Sequence, residues 1–179
     1  MTIGLLALQG AVSEHKISMH KLGIDVIEVK EPKDLEEVDG LIMPGGESTT
    51  LRKLLKNSGM WNFIKETELP IMGTCAGAIL LGKCENETLS KMNIKLDRNY
   101  YGRQKDSFET RISLKNGNYF DGIFIRAPAI TSIGTGITPI AWNGDDIVGC
   151  TDGKNMALTF HPELTSDVRF HKIWVEGLK

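Results

Sequence analysis

The chain has 179 residues, of which 41% are hydrophobic and 25% charged, and its net charge at pH 7 is −2. That balance fits one globular domain over 1–179, which at this size buries roughly 70% of its unfolded surface without staples. It leaves no electrostatic footprint for nucleic acid or an anionic membrane. No apolar run nears the about 18 residues a membrane helix needs, and the N-terminus has no basic-plus-apolar signal segment. Three cysteines (Cys75, Cys84, Cys150) form neither a disulfide framework nor a metal-ligand spacing, so a reducing, cytoplasmic setting is expected.

Taken in order, Thr2 to Leu8 is a short apolar run that reads as a buried parallel strand. Gln9-Gly10 breaks it, and Ser13 is placed to cap a helix running to Leu22, with Gly23 as its left-handed stop. Ile24 to Val29 is a second strand, Pro32 to Val38 a turn or single helical turn, and Gly40 to Met43 a third strand ending at Pro44-Gly45-Gly46. Ser48 then reads as an N-cap. Leu51, Leu54 and Leu55 follow at helical spacing, and Gly59 closes that helix. Met60 to Glu66 continues as a short helix. Pro70 opens a fourth strand ending at Cys75, and a helix leaves it and runs to about Leu81. Strand and helix alternate in short periods, the pattern of a doubly wound parallel sheet.

The second half reads differently. Ile94 to Leu96, Phe108 to Leu114, Gly122 to Arg126, Ile137 to Trp142, Ile147 to Thr151 and Met156 to Phe160 are strand-like. Asn116-Gly117, Asn143-Gly144 and Asp152-Gly153 are hairpin-turn signals between them. These strands are expected to pair antiparallel or to extend the sheet at one edge. Ser166 to Gly177 closes the chain as a helix, with Phe170 and Trp174 on the face that docks.

Three stretches carry chemistry. In Gly73-Thr74-Cys75-Ala76-Gly77 an apolar strand enters a sharp turn and an apolar helix leaves it, as where a nucleophile sits on an elbow. The glycines are needed because strand and helix approach closely there, and the helix N-terminus favours a thiolate. A lone cysteine would more simply be a buried structural one. A nucleophilic cysteine needs a base and a group to orient it. His161 follows the apolar strand Ala157-Leu158-Thr159-Phe160, and Pro162 biases it toward an extended conformation in which His161 and Glu163 project together. His15, His20 and His171 lie on helix-like stretches and read as packed or solvent-facing. Pro44-Gly45-Gly46-Glu47-Ser48 lies between a strand and a helix N-terminus, at the sheet edge where ligands bind, with backbone N–H groups free to face an oxyanion. Alone it would be an ordinary loop.

These three blocks resemble the class I (triad) glutamine amidotransferases. The resemblance is closer to the glutaminase subunits of pyridoxal 5′-phosphate synthase. Leu8-Gln9-Gly10-Ala11-Val12 with Glu14-His15, Tyr101-Gly102-Arg103-Gln104-Lys105-Asp106-Ser107-Phe108-Glu109, Phe124-Ile125-Arg126-Ala127-Pro128 and Phe160-His161-Pro162-Glu163-Leu164 carry it, across nearly the whole chain. The resemblance implies a three-layer αβα, flavodoxin-like α/β fold with a mostly parallel sheet and antiparallel additions in the C-terminal half. It implies hydrolysis of L-glutamine through a glutamyl thioester, with ammonia passed to a pyridoxal 5′-phosphate synthase subunit in a hetero-oligomer. Cys75 would be the nucleophile, His161 the acid/base and Glu163 its orienter. Gly45, Gly46, Glu47, Ser48, Ala76, Arg103, Ile125 and Arg126 would bind substrate or its oxyanion. For the arginines this is compatible with the residue type, since an arginine meets an α-carboxylate with two parallel hydrogen bonds. No metal or organic cofactor is implied on this chain.

Overall fold

The computed structural model describes residues 1–100 and 107–179. The first half alternates as its periodicity predicts. β1 (Thr2–Leu6) leads to α1 (Val12–Lys21), β2 (Asp25–Val29), a 3₁₀ turn (Pro32–Glu37), β3 (Gly40–Met43), α2 (Ser48–Asn57), α3 (Met60–Glu66), β4 (Ile71–Thr74) and α4 (Ala76–Leu81). Strands then dominate: β5 (Ile94–Asp97), β6 (Ser107–Leu114), β7 (Tyr119–Ile125), β8 (Ala129–Ile133), β9 (Thr138–Asn143), β10 (Asp146–Thr151) and β11 (Met156–Leu158). A 3₁₀ turn (Pro162–Leu164) and α5 (Arg169–Glu176) complete the chain.

Among the described residues the main sheet has nine strands, ordered β2-β1-β3-β4-β11-β10-β9-β6-β7. The first five run parallel, with Thr2 opposite Asp25, Ile3 opposite Gly40, Leu41 opposite Ile71 and Met72 opposite Met156. From β11 outward every pairing is antiparallel, and the three predicted Asn-Gly and Asp-Gly turns join β6 to β7, β9 to β10 and β10 to β11. β8 is absent from the strands expected above. It pairs with β5 in a separate two-stranded sheet, Ile94 opposite Ile133. Its five residues follow Pro128 and lack a regular alternation of buried and exposed positions, so there is little local signal to read.

Strand alternation sends side chains to two cores. Ile3, Leu5, Ile42, Met72 and Leu158 face Met19 of α1 and Phe170 and Trp174 of α5. Leu6, Leu41, Met43, Ile71 and Ala157 face Leu51 and Leu55 of α2, Met60, Trp61 and Ile64 of α3, and Leu80 of α4. Each fully buried large side chain contributes about 1.5–3 kcal/mol, so both faces must be covered and the architecture is three-layered αβα. No described helix is long and apolar enough to cross a membrane.

Three expected helix starts shift. α1 begins at Val12 with Ala11 at its N-cap, and the Ser13 hydroxyl donates to Glu14 Oε2 at 2.9 Å instead of capping. α2 is capped by Glu47, not Ser48. Its carboxylate accepts from the Thr49 and Thr50 amides at 2.9 and 2.8 Å, reaching two orphan donors where a serine hydroxyl would meet one. α5 starts at Arg169 rather than Ser166, because Asp167 Oδ1 accepts from the Arg169 amide at 2.9 Å in a turn before the helix.

Candidate active site

The carboxyl ends of β3, β4 and β11 converge, and each delivers one of the three stretches. Cys75 stands between β4 and α4 with φ 48° and ψ −104°, a positive φ in a residue that is not glycine. Such a conformation costs about 1–3 kcal/mol and persists only where its surroundings hold it. Here the Cys75 amide donates to the Leu158 carbonyl at 2.8 Å, and the Cys75 carbonyl accepts from Ile79 N at 3.1 Å. A Cβ at Gly73 would lie 2.6 Å from the Gly77 carbonyl carbon, and one at Gly77 would lie 2.0 Å from the Met43 carbonyl oxygen. Backbone cannot yield as a side chain could, so both flanking glycines are steric requirements of the elbow. The thiol is nearly buried and donates to the Ile125 carbonyl at 3.7 Å.

His161 is fixed by its own amide, which donates to the Ile123 carbonyl at 2.8 Å. Its Nδ1 stands 2.7 Å from Glu163 Oε1, and both residues are buried. The two side chains converge as expected, though through the 3₁₀ turn that starts at Pro162 rather than through extended backbone. With Nδ1 committed, Nε2 is left for proton transfer. It is buried and has no hydrogen-bond partner among the described residues. Burial disfavours the imidazolium, but the nearby Cys75 sulfur and the Glu163 carboxylate outweigh it and push the His161 pKa up to about 10.

Gly45 locks this pair to the glycine loop. A Cβ there would fall 2.5 Å from His161 Cε1 and 3.2 Å from Cys75 Cβ. Gly46 has φ +128°, and Gln9 Nε2 donates to the Glu47 carbonyl at 3.0 Å, so the turn after β1 braces the loop after β3. Gly10, at φ +86°, has no room for a Cβ, which would fall 2.1 Å from the Gly45 carbonyl oxygen. The Glu47 carboxylate is occupied by the α2 cap and by Arg98, whose guanidinium donates to Oε1 at 2.9 Å. Burial opposes ionisation of Glu47, yet the bonds from Thr49 and Thr50 hold its pKa down at about 2. Ser48 and Ala76 are buried at the starts of α2 and α4. Ile125 ends β7, and Arg126 follows it, exposed, with φ 43°. Arg103 lies outside the described residues.

Two histidines read from sequence as merely packed or solvent-facing also belong here. His15 and His171 are fully buried. His15 Nδ1 stands 2.9 Å from His171 Nε2, and His15 Nε2 stands 3.3 Å from Thr74 Oγ1 and 3.5 Å from Glu163 Oε2. One signal for His15 was present in the sequence: His15, Ser18 and Met19 recur at i, i+3, i+4, the buried stripe of α1. Nothing local marks His171.

This arrangement pairs a thiol with a carboxylate-anchored imidazole beside a glycine loop and a helix start, the equipment of acyl transfer through a covalent intermediate. Comparison with known proteins agrees. Residues 5–179 match the SNO glutamine amidotransferase family. A protein of Actinobacillus pleuropneumoniae serotype 5b named "Pyridoxal 5′-phosphate synthase subunit PdxT" is 46% identical over 184 residues, spanning 99% of this chain and 96% of its own. The protein of the same name from Methanocaldococcus jannaschii is 48% identical over 182 residues, spanning 99% and 98%. Among solved structures, one described as a glutamine amidotransferase superposes with a TM-score of 0.91 at 40% identity, covering 98% of both chains. A component of a putative GMP synthase from Thermoplasma acidophilum shares the fold at 17% identity, with a TM-score of 0.71 over 99% of this chain and 92% of that one.

Proposed function

The chain belongs to the SNO glutamine amidotransferase family, and from that membership we infer that it is the glutaminase subunit of a pyridoxal 5′-phosphate synthase, working in the cytoplasm. It hydrolyses L-glutamine to L-glutamate and supplies the ammonia to a synthase subunit for vitamin B6 biosynthesis. The observation that carries the assignment of residues is Cys75 and His161 packed against the same glycine, with Glu163 holding the far side of the imidazole.

Cys75 passes its thiol proton to His161 Nε2, and its sulfur attacks the side-chain carboxamide carbon of glutamine. The carbonyl oxygen becomes an oxyanion held by backbone N–H groups of the Gly45-Gly46 loop and of Ala76, each such donor being worth roughly 3 kcal/mol. His161 Nε2 gives its proton to the departing nitrogen, ammonia leaves, and a glutamyl thioester remains on Cys75. His161 then takes a proton from water, which attacks the thioester carbon. Glutamate leaves and the proton returns to the sulfur. Glu163 keeps Nδ1 protonated and Nε2 aimed at the sulfur throughout. Ser48, Glu47, Arg103, Ile125 and Arg126 surround the substrate, and an arginine is suited to the α-carboxylate.

Free ammonia is protonated in water, so a sheltered path into the synthase is part of the reading. Ammonia release by the purified chain, with and without its synthase partner, tests it. Activity is expected to be low alone and to rise in the complex, because the Gly45-Gly46 peptide takes its oxyanion-binding orientation with the partner. Absence of glutamine hydrolysis in the complex would overturn the reading. Full activity of the isolated chain would remove the requirement for the partner.

A further inference from the structure

Glu163 is anchored on one side only by the triad. Oε1 accepts from His161 Nδ1, whereas Oε2 is fully buried and makes no standard hydrogen bond among the described residues. A buried carboxylate oxygen left so is costly, and a carboxylate held at one oxygen can rotate about its terminal torsion. His15 Nε2 faces that oxygen at 3.5 Å, from a ring fixed behind by His171 at 2.9 Å. The two rings meet edge to face at 61°, with centroids 5.1 Å apart. Hydrogen bonds at unliganded active sites are commonly long and tighten once substrate is bound.

The proton inventory has one consistent solution. An ionised carboxylate only accepts, so a lone pair on His15 Nε2 would oppose it, and Nε2 must carry the hydrogen. Neutral His15 then accepts at Nδ1, and His171 donates from Nε2. The remaining ring nitrogen, His171 Nδ1, is buried without a partner among the described residues and in this solution is a lone pair rather than a stranded N–H. The reverse polarity would leave an orphan N–H at His171 and set a lone pair against Glu163. Thr74 Oγ1, 3.3 Å from the same Nε2, is a second acceptor for that N–H alongside Oε2. Burial lowers the pKa of both rings, His171 to about 4, in keeping with two neutral imidazoles at working pH.

Given a glutaminase with Cys75, His161 and Glu163 as its triad, a reading on which this rests, we propose that His15, held in its tautomer by His171, is a positioning residue. It donates to the second oxygen of Glu163 and thereby fixes the plane in which that carboxylate meets His161. His15 touches neither glutamine nor Cys75 in this role. Its effect belongs to kcat and passes through Glu163.

The test uses the chain in complex with its synthase partner. His15→Leu is expected to lower kcat for glutamine hydrolysis by about 10- to 100-fold, the cost of a slightly misplaced catalytic group, with KM within about twofold. His15→Gln places an amide N–H near the original Nε2 and is expected to bring kcat back to within about threefold of the unsubstituted chain. In a Glu163→Ala background the further change His15→Leu should cost less than about twofold, since the group it acts through is gone. A purely structural histidine would show the same loss in both backgrounds. That outcome, or an unchanged kcat in His15→Leu, overturns the proposal. Should His15→Leu fail to fold, nitrogen-15 spectra of the histidines in the unsubstituted chain decide it: protonation of His15 at Nε2 is expected, and protonation at Nδ1 alone overturns it. A complex that hydrolyses no glutamine before any substitution would overturn the glutaminase reading instead, and the tautomer measurement stands apart from activity.

Discussion

Glu163 separates two histidine environments that are buried alike and titrate in opposite directions. On one side His161 is pushed up to about 10; on the other His171 is driven down to about 4 and His15 falls well below its ordinary value. Burial disfavours the cation on both sides. The difference lies in what each ring meets: His161 has the carboxylate at 2.7 Å and the influence of the Cys75 sulfur, while among the described residues His171 hydrogen-bonds another imidazole, and His15 reaches the carboxylate at 3.5 Å. A charge partner in direct contact outweighs desolvation, and one that is already shared does not. Within a single buried array, the surroundings favour the charged form of one histidine and the neutral form of two others.

The largest break of that contrast comes from the sulfur. Cys75→Ala is expected to lower glutamine hydrolysis by at least about 10⁴-fold, because the covalent route is lost. It should also lower the His161 pKa from about 10, since Cys75 is one of the groups that raise it. Ammonia release and a histidine titration by NMR read the two effects, and persistent ammonia release would refute the nucleophile. Glu163→Gln comes next, with a loss in kcat of about 10³- to 10⁴-fold through a misdirected tautomer. His161 should then titrate closer to an ordinary histidine and lose its distance from His171. A His161 pKa that stayed near 10 would show that Glu163 is not what raises it.

How much of this could be read beforehand follows from the range of each signal. The elbow was legible because its chemistry is local: Gly73 and Gly77 stand two residues either side of Cys75, and each excludes a Cβ against backbone. His161 and Glu163 were legible for the same reason, two residues apart across a proline. The four parallel strands of the first half were legible as apolar runs between helix-period segments, whereas β11 read with the antiparallel group, and its parallel pairing comes from β4, far away in the chain. The cap at Glu47 was misread as Ser48 because cap preference describes a short side chain meeting one amide, whereas here a longer one meets two. β8 was missed because its partner, β5, and not its own pattern makes it a strand. The contact between His15 and His171 spans 156 residues, and no property of either segment announces the other.

The neutral side of the array has its own signature in stability. A histidine whose pKa is lowered on folding binds its proton in the unfolded chain first, so folding stability falls as the pH drops through the window between the two values. For His171 that window runs from 6.5 to about 4, and the loss at its lower end is about 3 kcal/mol. His161 acts with the opposite sign. Its raised pKa contributes stability that is complete below pH 6.5 and is lost as the pH climbs toward about 10. Urea titrations across pH should therefore show two separate limbs. His171→Gln removes one titrating ring while keeping a donor for His15 Nδ1, so it should flatten the acid limb and leave the alkaline limb in place. An acid limb of unchanged slope would mean that His171 is protonated in the folded protein.

The smallest effect isolates a carboxylate that belongs to neither side. Glu47 is held near a pKa of about 2 by bonds from Thr49 and Thr50 at the start of α2, despite the opposing effect of burial. Its contribution is complete above the unfolded carboxylate value of 4.5 and is lost as the pH falls toward 2, below most of the window in which His171 acts. Glu47→Ala removes the cap and is expected to cost about 1 kcal/mol at neutral pH. The pKa values of His161 and His171 should stay where they are, since neither histidine owes its shift to this carboxylate. Unfolding and histidine titration on the same sample separate the two expectations. A cost near 1 kcal/mol with both histidines unmoved would place the Glu47 carboxylate in helix capping, apart from the array around Glu163. A shift in His161 would instead show the glycine loop transmitting the state of α2 into the Cys75 pocket through Gly45.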